Sequence, residues 1–327
     1  MFPTFAKIFG ESLPAYFTLL MTGFLLATYF GARWAKRSGL DHDVIIDLGL
    51  IAVLAGVGGG RILHVLADGF FWDYVHLCTD PPQVIFSGVT SLAECTRLQG
   101  TWDAADTVCR AAERDCLAWA RFWSGGLTYY GGLVCAAVVG IWFLKRERFP
   151  LGKGMDMAGM VIPIGLFFGR LGCFFGGCCF GRPTDYAIGV SFPPHSPASL
   201  EQFEQGLLTG KSLPSLPVHP TQLYEAGGCL LIAALLSLWL HPRKRFDGQV
   251  FCLFLISYAV LRFVLEFFRA DDRGGLLSLS TSQLIGIAAV ATALWLWVLL
   301  ARRSKRVLAS GVLAGGVLAS GVLASGC

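Results

Sequence analysis

The stretch MDMAGMVIPIGLFFGRLGCFFGGCCFGR, residues 155–182, joins an apolar run of membrane-spanning length to a group of glycines and cysteines. Arg170 lies near the end of the apolar run, and Cys173, Cys178 and Cys179 follow it closely. A guanidinium inside an apolar segment is costly in lipid and marks a functional site by default. The stretch therefore predicts a membrane helix that ends in a polar site.

The composition of the whole chain also indicates a membrane protein. Of its 327 residues, 54% are hydrophobic and 15% are charged, and the mean hydropathy is +0.61. This balance is too apolar for a water-soluble protein of this length. The net charge of +4 does not indicate a nucleic-acid partner, because the location of charges in a membrane protein matters more than their sum.

Seven apolar segments have about the 20 residues that a membrane crossing needs. The N-terminal MFPTFAKIFGESLPAYF lacks the features of a cleavable signal peptide, so we expect the first segment to be a retained anchor. The fold class predicted is an all-α polytopic membrane protein with seven transmembrane helices within residues 1–305. The segments lie near residues 14–32, 44–66, 124–144, 155–175, 221–240, 249–268 and 282–301.

Lysine and arginine clusters predict the orientation. GARWAKR, KRERFPLGK, PRKR and ARRSKR follow the first, third, fifth and seventh segments. Because basic connections favour the cytoplasmic side, we expect the N-terminus outside and the C-terminus in the cytoplasm. Residues 67–123 and 176–220 then form two extracytoplasmic segments.

The segment 67–123 carries an even number of cysteines. In an oxidising compartment they predict two disulfides within a small cap, with all three pairings open. Four unrelated thiols are the simpler alternative, and the irregular spacing does not favour a zinc site. The four are Cys78, Cys95, Cys109 and Cys116.

Residues 306–327 form a low-complexity tail of VLASG repeats that ends at Cys327. Its glycines weaken the prediction of a helix, although its length is close to that of a membrane span. A tail of little function, an eighth span and a modified Cys327 all stay open. ASGC resembles a lipid-attachment motif, with Ala324 where leucine is usual.

Charged residues within the segments are the candidates for a site. Arg262, Glu266 and Arg269 follow one another at spacings of four and three, which places them on neighbouring parts of one helix face. A structural Arg262–Glu266 pair is the simpler interpretation. Arg170 adds a second guanidinium for which the sequence shows no obvious anion, and a phosphate group fits its planar fork of donors.

Two further motifs place polar residues at segment ends. GVGGGRILHV, residues 56–65, contains Arg61 after glycines that close helix packing alone would explain. VHPTQLYEAGG, residues 218–228, opens the fifth segment, with Pro220 suited to a first turn and Thr221 to a cap. Its further polar residues exceed what a helix start needs: His219, Gln222, Tyr224 and Glu225.

Five motifs together resemble those of bacterial prolipoprotein diacylglyceryl transferase, over roughly residues 10–305. The resemblance implies seven spans in the bacterial cytoplasmic (inner) membrane and a role in lipoprotein biosynthesis. It implies transfer of a diacylglyceryl group from phosphatidylglycerol to the thiol of a lipobox cysteine in prolipoproteins, with release of glycerol 1-phosphate. The motifs are GGGR at 58–61, SGGLTYYGG at 124–132, GRLGCFFGGCCFGR at 169–182, HPTQLYE at 219–225 and RFVLEFFR at 262–269.

The resemblance also implies the site residues, and we expect no cofactor and no metal ion. Arg262 and Glu266 match an essential catalytic pair, and Tyr130 takes the place of a catalytic histidine. Arg170 matches the arginine that binds phosphatidylglycerol. The other expected phosphatidylglycerol-binding residues are Arg61, Tyr16, Gly172, His219, Gln222, Tyr224, Glu225 and Arg269.

The chain departs from the family pattern in two places. A tyrosine phenol titrates near 10, against about 6.5 for histidine, so Tyr130 is a poor base for a thiol. His64, one turn after Arg61, is the nearest alternative base. Cys173 and Cys178 stand where the family has asparagine and glutamate, which leaves open a different acceptor or a lipid-binding protein without catalysis.

The cysteines after Arg170 suggest two other functions. A membrane thiol oxidoreductase would use Cys173, Cys178 and Cys179, but adjacent cysteines rarely pair and the arginines would stay unexplained. Three thiolates with His219 are also a possible tetrahedral zinc set, if the fold brings them together.

Overall fold

The computed structural model describes residues 4–8, 11–67, 69–86, 89, 91–121, 126–269, 275–276 and 279–323. These residues are mostly helical. The helices are α1 Ala15–Arg37, α2 Asp43–Ala67, α3 Phe71–Thr79, α4 Leu92–Arg97, α5 Tyr129–Arg146, α6 Leu151–Gly176, α7 Pro197–Glu204, α8 Thr221–Ala234, α9 Gln249–Glu266 and α10 Thr281–Leu323.

In the part of the chain that the structure describes, three short antiparallel hairpins are an exception to the all-α prediction. β1 Thr4–Ile8 pairs with β2 Glu11–Pro14, β3 Gly100–Asp103 with β4 Val108–Ala111, and β5 Gly275–Leu276 with β6 Leu279–Ser280. They lie outside the long apolar segments, in connections whose backbone groups need partners of their own. Hydropathy does not predict such short pairings.

Among the described residues, six helical stretches are long and apolar enough to cross a membrane, and they coincide with six of the seven predicted segments. The predicted third segment, 124–144, corresponds to α5, which is not among them. Its YYGG start and its Lys145–Arg146 end lower its apolar content. The six are Ala15–Arg37, Asp43–Ala67, Leu151–Gly176, Thr221–Arg243, Gln249–Glu266 and Ser282–Lys305.

Large apolar side chains on these stretches face outward. Leu54 is 64% exposed, Leu238 78% and Trp295 62%. Water would make such surfaces costly, whereas lipid tails match them. The exposed surface therefore supports a multi-pass membrane protein.

The chain divides into two compact units, residues 1–46 with 149–327 and residues 47–148. In the first, α6 contacts α1, α8 and α9. Gly172 of α6 makes a close approach possible, because a Cβ atom there would lie 3.1–3.2 Å from atoms of Tyr16 in α1. A cluster of buried apolar residues joins α6, α8 and α9: Met160, Ile232, Leu236, Val250 and Phe254.

Two helix ends differ from the sequence prediction. α8 continues through a π-helical turn, Leu235–Leu240, and a 3-10 turn, His241–Arg243. α10 continues without a break to Leu323, so the predicted boundary at residue 306 is not an end of secondary structure. The repeat supplies leucine, alanine and valine at most positions, which outweighs its glycines in the helix.

The second unit contains α3, α4, the β3–β4 hairpin and α5. Two disulfides join Cys78 to Cys116 and Cys95 to Cys109, which selects one of the three open pairings. A Cβ atom at Gly59 of α2 would lie 2.7 Å from the carbonyl oxygen of Gly131 in α5, so the glycines of the GGGR motif serve close helix packing.

A buried ion pair lies near the start of α6. Asp156 is fully buried, and its carboxylate accepts a bond of 2.6 Å from Lys244 Nζ and one of 2.9 Å from the Val250 backbone N–H. Asp247 contacts the same ammonium at 2.7 Å, but from an exposed position. The pair fixes the connection between α8 and α9 against α6.

We expect Asp156→Asn to destabilise the protein by about 2 kcal/mol, because a charged hydrogen bond inside the protein is lost. Asp247→Asn is the matched control and should change stability by less than about 0.5 kcal/mol. Thermal unfolding of the detergent-purified variants measures both. Equal melting temperatures for the two variants would contradict the structural role of Asp156.

Candidate active site

Glu225 is the central residue of the candidate site. It lies one turn into α8, and its side chain is only 1% exposed. Tyr258 donates its hydroxyl hydrogen to Glu225 Oε1 at 2.9 Å, and Arg262 donates from Nη1 to Oε2 at 3.1 Å. A buried carboxylate requires such partners, because an unpaired charge would be very costly there.

Arg170 forms a second ion pair with the same carboxylate. Its Nε lies 3.1 Å from Glu225 Oε2. The expectation that the sequence supplies no anion for Arg170 is therefore wrong. The two residues are 55 positions apart in the sequence, and only the packing of α6 on α8 brings them together.

The terminal nitrogens of Arg170 remain open. Within the described residues, its two Nη groups donate no hydrogen bond, and the side chain is 21% exposed. A guanidinium held through Nε presents its remaining donors as a fork that suits phosphate oxygens. The site can therefore bind an anion without breaking the Arg170–Glu225 pair.

Arg262 and Glu266 form the ion pair that their spacing predicts, at 3.7 Å, but Arg262 also binds elsewhere. Its Nη2 donates to Ser282 Oγ at 3.3 Å, in addition to the bond from Nη1 to Glu225. Glu266 Oε2 is buried and accepts no hydrogen bond from any described residue. The simple self-neutralising pair is thus replaced by a network in which Glu266 Oε2 contacts Arg262 Nη2 at ion-pair distance but, among the described residues, accepts no hydrogen bond.

The loop after α6 is fixed to the start of α8. Gly177, with φ of +71°, ends α6 in the left-handed conformation that glycine adopts easily. Gln222 Nε2 donates to the Cys178 carbonyl at 2.7 Å, and Thr221 Oγ1 donates to the Cys179 carbonyl at 2.9 Å. The sequence predicted that Thr221 caps the start of α8. Its side chain instead binds the loop after α6.

Gly181 allows the same loop to pass close to α8 and α9. A Cβ atom there would lie 2.5 Å from the Phe268 carbonyl oxygen and 2.8 Å from His219. The Arg182 backbone N–H donates to the Phe268 carbonyl, and Arg182 Nε donates to the Arg269 carbonyl. The buried Arg269 thus lies where the loop meets the end of α9.

The sulfur atoms of Cys173, Cys178 and Cys179 lie within 4.8 Å of one another. The three residues are free thiols and are half-buried. Hydrogen bonds from the other two thiols lower the pKa of Cys179, and the guanidinium groups of Arg170 and Arg269 act in the same direction. The fold therefore brings together the three cysteines that the sequence placed near Arg170.

Tyr16 joins this part of the site from α1. It packs on Gly172, and its phenol is close enough to interact electrostatically with Arg170 and with the three thiols. His219 takes another position: its Nδ1 lies 3.2 Å from Tyr224 Oη, and its ring contacts Phe268 edge-on. The predicted residues His219 and Tyr224 therefore contact each other, separately from Glu225.

The remaining predicted residues belong to the second unit. Arg61 is buried and donates to the carbonyls of Trp119, Ala118 and Gly126, which fixes the connection before α5. Tyr130 lies at the start of α5 and is 49% exposed. The ring of His64, the alternative base, lies tilted against that of Phe70, with 5.1 Å between the ring centroids. Their roles in the reaction stay predictions.

Sequence reasoning missed Tyr258 and Ser282. Tyr258 lies four residues before Arg262 in α9, so helical spacing would have placed it on the face that carries Arg262. Ser282 lies in the first turn of α10, and a serine near a helix start has an ordinary explanation as a capping residue. Only the bond to Arg262 indicates its place in the site.

The sequence of the chain was also compared with those of known proteins. The sequence profile described as prolipoprotein diacylglyceryl transferase matches residues 3–299. Three similar proteins are each named phosphatidylglycerol–prolipoprotein diacylglyceryl transferase. That of Bordetella bronchiseptica is 36% identical, and the match covers 93% of this chain and 97% of the relative. That of Rhodospirillum rubrum is 34% identical, and the match covers 91% of this chain and 89% of the relative. That of Clostridium tetani is 26% identical, with 88% and 93% covered.

The chain belongs to the prolipoprotein diacylglyceryl transferase family. The family membership that the five motifs predicted is thereby confirmed.

We expect Glu225→Gln to destabilise the protein by about 3 kcal/mol, because two partly buried guanidinium groups lose their shared counter-charge. Glu204→Gln changes an exposed carboxylate in α7 and should have little effect. Thermal unfolding in detergent compares the two variants. A melting temperature for Glu225→Gln equal to that of the control would contradict the central role of Glu225.

Proposed function

We propose that this protein transfers a diacylglyceryl group from phosphatidylglycerol to the thiol of a lipobox cysteine in prolipoproteins. The reaction forms a thioether and releases glycerol 1-phosphate. The observation that carries the proposal is the open fork of Arg170, held beside Arg262 by one buried carboxylate. Membership of the transferase family supports the choice of donor and acceptor.

Arg170 binds the phosphate of phosphatidylglycerol through its two Nη groups. Arg262 contacts the same Glu225 oxygen, Oε2, at 3.1 Å and adds a second positive charge. As the bond between the glyceryl carbon and the phosphate oxygen breaks, negative charge develops on the departing phosphate. Fixed positive groups in a site of low dielectric constant stabilise that charge without reorganising.

Glu225 acts as a positioning residue. Arg170, Arg262, Glu225 and Glu266 carry two positive and two negative formal charges, so these four groups together are neutral. The phosphate then adds one negative charge next to Arg170. Because Glu225 holds both guanidinium groups before the lipid arrives, little side-chain entropy is lost on binding.

Glu266 is the group best placed to recognise the headgroup. Its oxygen Oε2 is buried and has no hydrogen-bond partner among the described residues. A hydroxyl group of the glycerol headgroup can donate to this oxygen, which favours phosphatidylglycerol over lipids whose headgroup lacks such a donor. Because the apolar faces of the helices are exposed, the acyl chains of the bound phosphatidylglycerol can stay in the bilayer.

We further propose seven membrane crossings, with α5 as the third. The basic clusters support an outer N-terminus and a cytoplasmic C-terminus in the bacterial inner membrane. Residues 67–123 then form an extracytoplasmic cap whose two disulfides suit an oxidising compartment, and 176–220 form the second external segment. Residues 306–327 remain a tail outside the transferase domain, 1–305.

Impermeant thiol labelling of intact cells tests this topology. Ala105→Cys, in the turn between β3 and β4, should be labelled, whereas Glu147→Cys, just after α5, should not. Both positions lie in exposed turns, so a difference in labelling reports the side of the membrane and not burial within the protein. Equal labelling of the two variants would mean that α5 does not cross.

Transfer from labelled phosphatidylglycerol to a lipobox peptide tests the function. The peptide should gain the mass of one diacylglyceryl group as glycerol 1-phosphate is released. Arg170→Lys removes the planar fork and should lower kcat by about 10²-fold, the typical effect of losing an oriented donor to a developing charge. The decrease can be read from initial rates.

Arg243→Lys provides the matched control, because Arg243 donates to the Trp239 carbonyl at an exposed position. Its rate should equal that of the unchanged protein. Full activity of Arg170→Lys would contradict the phosphate-binding role, and a folded protein without any transfer would contradict the proposed reaction.

A further inference from the structure

Three thiol groups that the proposed reaction does not use converge beside Arg170. Their sulfur atoms lie within 4.8 Å of one another. With Zn–S bonds of about 2.3 Å, the sulfurs of a tetrahedral zinc site are about 3.8 Å apart. The three sulfurs therefore need only a small closure to reach zinc-binding distances.

The backbone that carries the cysteines is held in place by neighbouring side chains. Buried Gln222 and Thr221 bind the carbonyls of Cys178 and Cys179, and Cys173 is fixed in the last turns of α6. Cys179 has φ of +58°, a conformation unfavourable for a residue with a side chain. The contacts that constrain this loop are comparable to the outer contacts that orient the ligands of a metal ion.

The nearby charges favour an anionic metal complex. Three thiolates with Zn²⁺ carry a net charge of −1, and both Arg170 and Arg269 are close enough to interact electrostatically with Cys179. The guanidinium groups thus offset the charge that the complex would introduce in this half-buried position.

A disulfide explains the arrangement less well. Joining two of the cysteines would leave the third sulfur beside them without a function. Cys178 and Cys179 are adjacent in the sequence, and the geometry of a disulfide between neighbours is strained. Soft thiolate ligands in a group of three instead match the preference of zinc.

We propose that Cys173, Cys178 and Cys179 bind a zinc ion whose fourth position takes the thiol of the acceptor cysteine. The ligand group within 4.8 Å contains these three residues and, among the described residues, no nitrogen of His219. Zinc sites with three protein ligands keep the fourth position for water or substrate. The inference deepens the proposed function and rests on it for the identity of the acceptor.

The zinc ion would prepare the acceptor for attack. The thiol binds as a thiolate and releases its proton to water. Its sulfur then forms a bond to the glyceryl carbon, while the bond from that carbon to the phosphate oxygen breaks and its electron pair leaves with glycerol 1-phosphate. The thioether product is a weak zinc ligand and dissociates, so no oxidant or reductant is needed.

Metal analysis of the full-length protein in detergent tests the site independently of activity. We expect about one zinc ion per chain, and a cobalt-substituted protein with the thiolate charge-transfer bands of tetrahedral Co²⁺. Cys173→Ser, Cys178→Ser and Cys179→Ser should each abolish stoichiometric zinc binding. Cys135→Ser is the matched control, because Cys135 is also a half-buried free thiol, and it should keep its zinc.

A lipobox peptide then tests the fourth position. Adding the peptide should shift the cobalt bands as a fourth thiolate binds, whereas the peptide with serine in place of cysteine should leave them unchanged. Gln222→Ala should weaken zinc binding about tenfold, as the loss of an outer contact typically does.

The outcomes separate the two proposals. Transfer activity in a protein without zinc, or with a reversible disulfide among these cysteines, would overturn the zinc site and leave the proposed function standing. Stoichiometric zinc without a spectral response to the peptide would overturn the role in thiol activation. A spectral response without transfer would support the zinc site and contradict the proposed reaction.

Discussion

The shared carboxylate of Glu225 is the interaction on which the rest of the site depends. It lies almost fully buried and pairs with guanidinium groups from α6 and α9 while accepting a hydroxyl hydrogen from Tyr258. In a bundle surrounded by lipid, charges of this kind remain buried only when they are paired. The three helices are therefore held by the same contacts that position the candidate phosphate-binding donors.

Close backbone approach makes this arrangement possible. Gly172 lets α1 pack on α6 beside Arg170, and Gly181 lets the loop after α6, which carries Cys178 and Cys179, pass close to the start of α8 and the end of α9. Gln222 and Thr221 then hold that loop by its carbonyl groups. The motif HPTQLYE thus supplies Glu225, which pairs with the two arginines, and also the side chains that hold the cysteine-bearing loop. This double use explains why one short motif carries so many polar residues.

Much of the fold could be predicted from patterns of apolar residues. Six predicted segments coincide with helices of spanning length, because lipid selects length and composition directly. The hairpins, and the run of α10 to Leu323, escaped prediction. Short pairings and helix continuation depend on local backbone partners, which hydropathy does not record.

Residue type and spacing were enough to identify the family, the membrane class and the charged residues. Which of those charges meet depended instead on how the helices pack. Arg170 looked unpaired in the sequence, yet it binds Glu225 across 55 positions, and Tyr258 and Ser282 gained a role only through their bonds to this network. The disulfide pairs and the convergence of three thiols were likewise decided by folding, since distances in space do not follow from distances along the chain.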